Sequence, residues 1–390
     1  MKPPTLVNHP PHVPVPADNQ PVVAPIYQTV KFEFDTVAET LRALRGERGG
    51  FYYQRTSNPT TRQLELTLAG LQGRDECIAC GSGVGAIAGT LLSLTKQGDH
   101  VLCFVESYGP TRHLIRRLLA KFGLTHSLIS LDDLAGMERV LAHTPARLVM
   151  FESPSNPINK IADLQRITEL AHAHGALAVM DNTLAGLHQH GEYPVDVFMH
   201  SLTKFAAGHG DVMGGAVIAS AELIKRMRPD FSVLGGVLDP HAAFLIQRGL
   251  KTYFVRYQQQ CESALRLAES LQTEAAVSAV YYPALPGNPY NALCRKQMAQ
   301  AGAVVTFDLH GGSEVATRFV EALRLFAMTA SLGATESLVL PPQLLAPHDL
   351  DAEQLRISGV GPGTVRLCVG LEHSDDLLAD VAQALRVAQQ

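Results

Sequence analysis

From about Gln63 to Ala219, short apolar runs alternate with stretches whose apolar residues recur at helical spacing. The runs Val101–Val105, Leu148–Phe151, Ala176–Met180, Val195–Met199 and Ala216–Ala219 have strand length. One connector is easily read: Asp163 caps a helix whose Leu164, Ile167, Leu170 and Ala171 share a face, and Gly175 ends it. Repeated strand-helix-strand units predict an α/β fold, with a mainly parallel sheet covered by helices on both faces. In such sheets ligands bind outside the carboxyl ends of the strands.

Beyond Arg248 the pattern changes to a long helical stretch, Tyr257–Thr273, and then to mixed α and β segments. The chain has 390 residues, more than the roughly 250–300 at which single cores stop growing. We therefore expect a large domain over 61–245 and a smaller C-terminal α/β domain over 246–390. Residues 1–60 are expected to form an arm. Its first 25 residues hold eight prolines, which remove backbone donors and disfavour helix. The apolar Val22, Val23, Ile26 and Tyr27 favour docking of this arm on another subunit.

Composition narrows the class. A net charge of −5 with 18% charged residues offers no polyanion-binding surface, so nucleic acid is not an expected partner. No segment is apolar for the roughly 20 residues a membrane helix needs, and no apolar leader follows Lys2, so a cytoplasmic protein is expected. The six cysteines are scattered through apolar contexts, which fits a reducing compartment. Cys77-Ile-Ala-Cys80 has CxxC spacing but lies in a strand-like run without a second Cys or His pair. It reads as buried structure, and no metal is expected.

The most informative segment is Val195-Asp-Val-Phe-Met-His-Ser201-Leu-Thr203-Lys204, followed by a glycine-rich return to Gly215. A lone lysine is ordinarily a solvated surface residue. At a strand's carboxyl end, flanked by hydroxyls and glycines, it can reach a carbonyl cofactor while the hydroxyls hold a phosphate. Desolvation there would lower its pKa and favour the neutral amine. A second strand ends in Asp181-Asn-Thr183; that acid can pair with a protonated pyridine nitrogen or simply form an Asx-turn. Gly81-Ser82-Gly83-Val84-Gly85 supplies backbone N–H groups at a helix start, where an anion is favoured. The same glycines also fit a rival: Gly81-x-Gly83-x-x-Ala86, with Glu106 ending the next strand, has the form of a dinucleotide fingerprint for an NAD enzyme. That rival assigns no role to Lys204 or Asp181.

Taken together, the motifs resemble the Cys/Met-metabolism PLP enzymes, the trans-sulfuration group of cystathionine lyases and synthases, methionine γ-lyase and O-acylhomoserine sulfhydrylases. The likeness runs from about Pro25 to Asp380. It comprises Tyr53-x-Arg55-x-x-Asn58-Pro59-Thr60, Ser82-Gly83, Tyr108-Gly109-x-Thr111, Glu152-Ser-Pro-x-Asn156-Pro157, Asp181-Asn-Thr183 and Ser201-x-Thr203-Lys204. Further on come Arg248-Gly-Leu-Lys-Thr252, Ser331-Leu-Gly333, Glu336-Ser-Leu338 and Val365-Arg366-Leu.

The resemblance implies a type I, aspartate aminotransferase-like PLP fold with pyridoxal 5'-phosphate as cofactor. It implies that Lys204 carries the cofactor covalently, that Asp181 pairs with the ring nitrogen and that Tyr108 stacks on the ring and assists as acid or base. Ser82, Gly83, Val84, Ser201 and Thr203 would serve the phosphate, joined by Tyr53 and Arg55 from a neighbouring subunit of a homotetramer. Arg366 would take the carboxylate of an amino-acid substrate, with Asn156 and Ser331 nearby.

Three positions depart from the family pattern. Val84 stands in place of Met, Cys368 in place of Ser, and Pro110 where methionine γ-lyases carry a reactive Cys. The expected activity is carbon–sulfur cleavage of the cystathionine β-lyase type. The alternatives are cystathionine γ-lyase, cystathionine γ-synthase and O-acylhomoserine sulfhydrylase, and more distantly the NAD oxidoreductase or a silent PLP-binding protein.

Overall fold

In the computed structural model, which describes residues 18–345 and 349–390, the apolar runs assemble into a seven-stranded sheet. Its strands are β1 (Glu76–Cys80), β2 (His100–Phe104), β3 (Thr125–Ile129), β4 (Leu148–Glu152), β5 (Leu177–Asp181), β6 (Val197–Ser201) and β7 (Gly215–Ala219). The spatial order is β1-β7-β6-β5-β4-β2-β3. β7 runs antiparallel to both of its neighbours, and every other pairing is parallel.

Side chains alternate between the two covered faces of this sheet. Leu102, Val149, Ala178 and Phe198 pack with Leu64 and Leu68 of helix Pro59–Gln72 and with Ile167 of helix Leu164–Ala173. Val101, Leu148, Val179 and Val197 pack with Leu91 of helix Gly83–Leu94 and Met227 of helix Ala221–Leu234. Burial on both faces is why these strands read as continuous apolar runs. Cys77 and Cys80, three residues apart on β1, are both buried and belong to opposite faces, so the CxxC pair is split by the sheet.

The helix after Asp163 forms as expected: the Asp163 side chain accepts from the Arg166 N–H, and Gly175 follows with φ 72°. Edge strand β3, Thr-His-Ser-Leu-Ile, pairs only with β2 and leaves its first two residues exposed, so it carries no apolar run to read. The run expected at Val195–Met199 forms its strand at Val197–Ser201, two residues further on.

A second, five-stranded sheet follows: β8 (Val277–Tyr281), β9 (Val304–Leu309), β10 (Ala327–Met328), β11 (Leu338–Leu340) and β12 (Thr364–Cys368), in the order β10-β11-β12-β9-β8. Phe307 of β9 meets Phe319 of helix Gly312–Ala322 edge to face at 5.6 Å. The long helix starts at Tyr253 instead of Tyr257 and ends at Gln272. Tyr253 and Tyr257 belong to the first core and Leu267 and Leu271 to the second, so this one helix joins both.

The expected arm departs from its prediction. Residues 1–17 lie outside the described structure. The remainder has no regular secondary structure from Val23 to Val30, with tight turns at Ile26–Gln28 and Tyr27–Thr29, and is followed by helix Val37–Leu44, capped by the Thr36 hydroxyl on the Glu39 N–H. Thr36-x-x-Glu39 is a legible helix start that the proline-rich context masked. This helix buries none of its residues within the chain; Val37, Leu41 and Leu44 form an exposed apolar stripe. Among the described residues no helix is long and apolar enough to cross a membrane.

Candidate active site

The carboxyl ends of β1, β2, β4, β5 and β6 open into one cavity of about 1080 Å³. Every predicted site residue except Tyr53 and Arg55 lines it. At the end of β1, the Ser82 hydroxyl accepts from the Gly85 N–H at 3.0 Å and so caps helix Gly83–Leu94. The other first-turn N–H groups have no partner within the helix and lie at the positive end of its dipole.

Gly83 lets this helix start press against the end of β6, because a Cβ there would stand 2.7 Å from the Ser201 Cβ. Gly83→Ala is expected to lower stability by about 1–3 kcal/mol through overpacking. It should also weaken retention of any phosphate held between the two elements. Melting temperature and ligand retention after gel filtration check this.

Asp181 ends β5. Its Oδ1 accepts from the Thr183 N–H at 3.1 Å and from the Thr183 hydroxyl at 2.6 Å. The Asx-turn and the functional reading therefore coexist: one oxygen makes the turn, and Oδ2 has no protein partner among the described residues. Burial pushes this carboxyl above its ordinary range, and the two Thr183 bonds oppose the shift.

Lys204 follows β6, and its Nζ donates to the Ser331 hydroxyl at 2.7 Å. Desolvation lowers the pKa of this amine, and the positive charge of Arg366 lowers it further. Ser331 holds a φ of 111°, a strained backbone for a non-glycine residue. Arg366, on β12, is buried. It donates to the Asn156 side-chain oxygen at 2.9 Å and to the Ser331 carbonyl at 2.8 Å, while its Nε is buried without a partner. No carboxylate of the described residues pairs with it. A buried guanidinium without an anion is costly, so its chemistry calls for an anionic ligand.

Tyr108 is partly exposed to the cavity, and its ring hydroxyl has no protein partner among the described residues. Burial raises its pKa, the neighbouring Glu152 and Asp181 raise it further, and Arg366 opposes them. The dinucleotide reading fails at Glu106. That carboxylate is buried, paired with Lys160 at 2.7 Å and bonded to the Ser130 hydroxyl and the Leu131 N–H. It is therefore not free to bind a ribose.

Tyr53 and Arg55 are not brought to this chain's cavity. Tyr53 is exposed, and Arg55 donates to the Ser232 carbonyl at 2.9 Å.

Three contributors escaped the sequence reading. Thr183 was legible as the end of the Asp-x-Thr turn. Glu152 ends β4 beside Asp181, the same strand-ending acid signal. Arg112 is buried and bidentate to Asp349 at 3.0 and 2.8 Å; with the partners 237 positions apart in the chain, no local pattern could join them.

A lysine whose pKa is lowered, an acid in the same cavity with one oxygen unbonded among the described residues, a phosphate-suited helix start and an arginine without a carboxylate partner among those residues suit an aromatic aldehyde phosphate and the amino acid it processes. The fold and site define a PLP-dependent enzyme. The chain belongs to the Cys/Met metabolism PLP-dependent enzymes, a family matched over residues 9–386.

Among its relatives, an L-methionine gamma-lyase of Pseudomonas putida is 40% identical over 94% of this chain and 93% of its own length. An O-succinylhomoserine sulfhydrylase of Pseudomonas aeruginosa is 36% identical over 92% of this chain and 90% of its own. The crystal structure of cystathionine gamma synthase from Xanthomonas oryzae pv. oryzae in complex with cystathionine superposes with a TM-score of 0.89. It is 34% identical and covers 94% of each chain.

Proposed function

We propose that the enzyme works at the γ-carbon of its amino-acid substrate, cleaving or forming the carbon–sulfur bond of a cystathionine-type product. The observation that carries this is the set of compared relatives: those named above are a gamma-lyase, a homoserine-ester sulfhydrylase and a gamma-synthase. The β-cleaving preference drawn from the sequence has no counterpart in those names. Pro110 in place of the cysteine that methionine γ-lyases carry argues against methionine as the preferred substrate. Leu118, Leu344 and Leu345 line the same cavity as Lys204 and Arg366 and would give an apolar wall to a γ-substituent.

In this reading Lys204 joins the cofactor, Asp181 holds its ring nitrogen, and Gly83, Val84, Ser201 and Thr203 hold its phosphate. Tyr53 and Arg55 reach the same phosphate from a neighbouring subunit of a cytoplasmic homotetramer. PLP, when bound, supplies the electron sink for charge left at the α-carbon. Arg366 takes the substrate carboxylate as a bidentate pair and fixes the Cα–H bond toward Lys204, with Asn156 and Ser331 bracing the guanidinium. The neutral Nζ of Lys204 removes the α-proton. The Tyr108 hydroxyl moves a proton at the substrate amine before α-proton removal and again at the departing or entering heteroatom.

Side-by-side assays with cystathionine, methionine and O-acylhomoserines, with product identification, test this. Cleavage of cystathionine at the γ-carbon yields 2-oxobutanoate, whereas β-cleavage yields pyruvate. The expected outcome is 2-oxobutanoate, or cystathionine formed from an O-acylhomoserine and cysteine. Pyruvate as the main keto acid would overturn the reading.

A further inference from the structure

Glu152 has no part in the scheme above, yet it sits inside the same cavity. It closes β4, is only 4% exposed, and stands in register with Asp181 on the adjacent parallel strand. In-register residues on neighbouring parallel strands present their side chains to the same face. Its Oε2 accepts from the Tyr108 N–H at 2.8 Å. Tyr108 opens a single-turn helix, Gly109–His113, and has no side-chain capping bond of its own. The bond from Glu152 therefore fixes the backbone from which the phenol projects.

We propose that Glu152 is a positioning residue: through the backbone N–H of Tyr108 it holds that phenol over the reacting atoms. The proposal rests on the role of Tyr108 given above. Placement is demanding, because the phenol must reach the ring face, the substrate amine and the leaving group, and its own hydroxyl has no protein partner among the described residues to hold it. The acceptor role needs an oxygen but no charge. Burial and the adjoining Asp181 both push the Glu152 carboxyl well above its ordinary range, with Arg112 and the Tyr108 N–H opposing. That direction favours the protonated carboxyl, which keeps an oxygen free to accept from the Tyr108 N–H. Arg112 is itself tied to Asp349 and to the Val105 and Ser107 carbonyls.

The test compares the holoenzyme with Glu152→Gln and Glu152→Met. Gln keeps a neutral acceptor for the Tyr108 N–H; Met fills similar volume without one. The readout is exchange of the α-proton of L-norvaline in deuterated buffer, followed by NMR. Norvaline has no γ-leaving group, so the result stands apart from the substrate reading, which the keto-acid assay decides. Cofactor content by absorbance and melting temperature accompany each measurement.

Glu152→Met is expected to slow exchange roughly tenfold to a hundredfold, the scale of a misplacement of about 1 Å. Glu152→Gln should stay within about threefold of the parent, with the alkaline limb of its pH–rate profile unmoved. A Met variant as fast as the parent would overturn the proposal. So would a Gln variant as slow as Met, because charge would then be the requirement. An alkaline limb shifted to lower pH in Gln would show that the native carboxyl is ionised and would overturn the neutral-acceptor role. Should Met lose cofactor or stability, Gln alone still decides through its rate and its limb.

Discussion

Lys204→Ala is expected to abolish the visible absorption of bound cofactor and to reduce turnover by at least the roughly 10²–10⁴-fold that a positioned general base contributes. Two functions are lost together, because the same nitrogen would carry the cofactor and remove the α-proton. The expectation rests on the setting of that nitrogen: desolvated, close to the positive charge of Arg366, and hydrogen-bonded to a hydroxyl instead of a carboxylate. All three features favour the neutral amine. The depressed pKa also has a direction in pH: the reactive form persists to lower pH than it would for a solvated lysine. Borohydride trapping and peptide mass mapping should place the cofactor label on Lys204; a label elsewhere would contradict the assignment. Circular dichroism of the variant separates loss of chemistry from loss of fold.

Arg366→Ala is expected to act on substrate capture. Removing one partner of a buried charge pair costs about 2–5 kcal/mol, which is roughly a 30-fold to 4,000-fold loss in kcat/KM. Cofactor absorbance should be retained. Arg366→Lys should recover little, because an ammonium cannot reproduce the bidentate geometry that Asn156 and the Ser331 carbonyl brace. Steady-state kinetics on whichever γ-substrate proves active, with absorbance measured in parallel, checks both variants. An unchanged kcat/KM in Arg366→Ala would refute the carboxylate role.

Much of the first sheet was legible because its strands are buried on both faces and so read as unbroken apolar runs; Asp163 and Gly175 punctuated the intervening helix in the same way. Edge strand β3 was not legible, since its first two residues are exposed, none of its residues is fully buried, and only Leu128 and Ile129 are apolar. The second sheet was seen only as mixed texture: its strands include the very short β10 and β11, and all its pairings but β10 with β11 are antiparallel. Site residues at strand ends, Asp181 and Lys204 above all, could be recognised because the fold itself places strand ends at the ligand. Glu152 carried the same signal and was passed over because its motif is dominated by Asn156 and Pro157. The Arg112–Asp349 pair was invisible for a different reason: a contact across so much chain exists only once both cores are built.

The site draws on both cores. Lys204, Asp181 and the Gly83 helix start stand at strand ends of the first sheet, whereas Ser331 lies on the loop between β10 and β11 of the second and Arg366 on its β12. In the proposed reading, holding the coenzyme and gripping the amino acid are duties of separate halves of the chain, which meet at the hydrogen bonds from Lys204 to Ser331 and from Arg366 to Asn156. A change that tilts one half against the other can blunt recognition of the amino acid while the coloured protein looks intact. Selection for a new substrate thus has access to distant hinge positions as well as to the cavity wall.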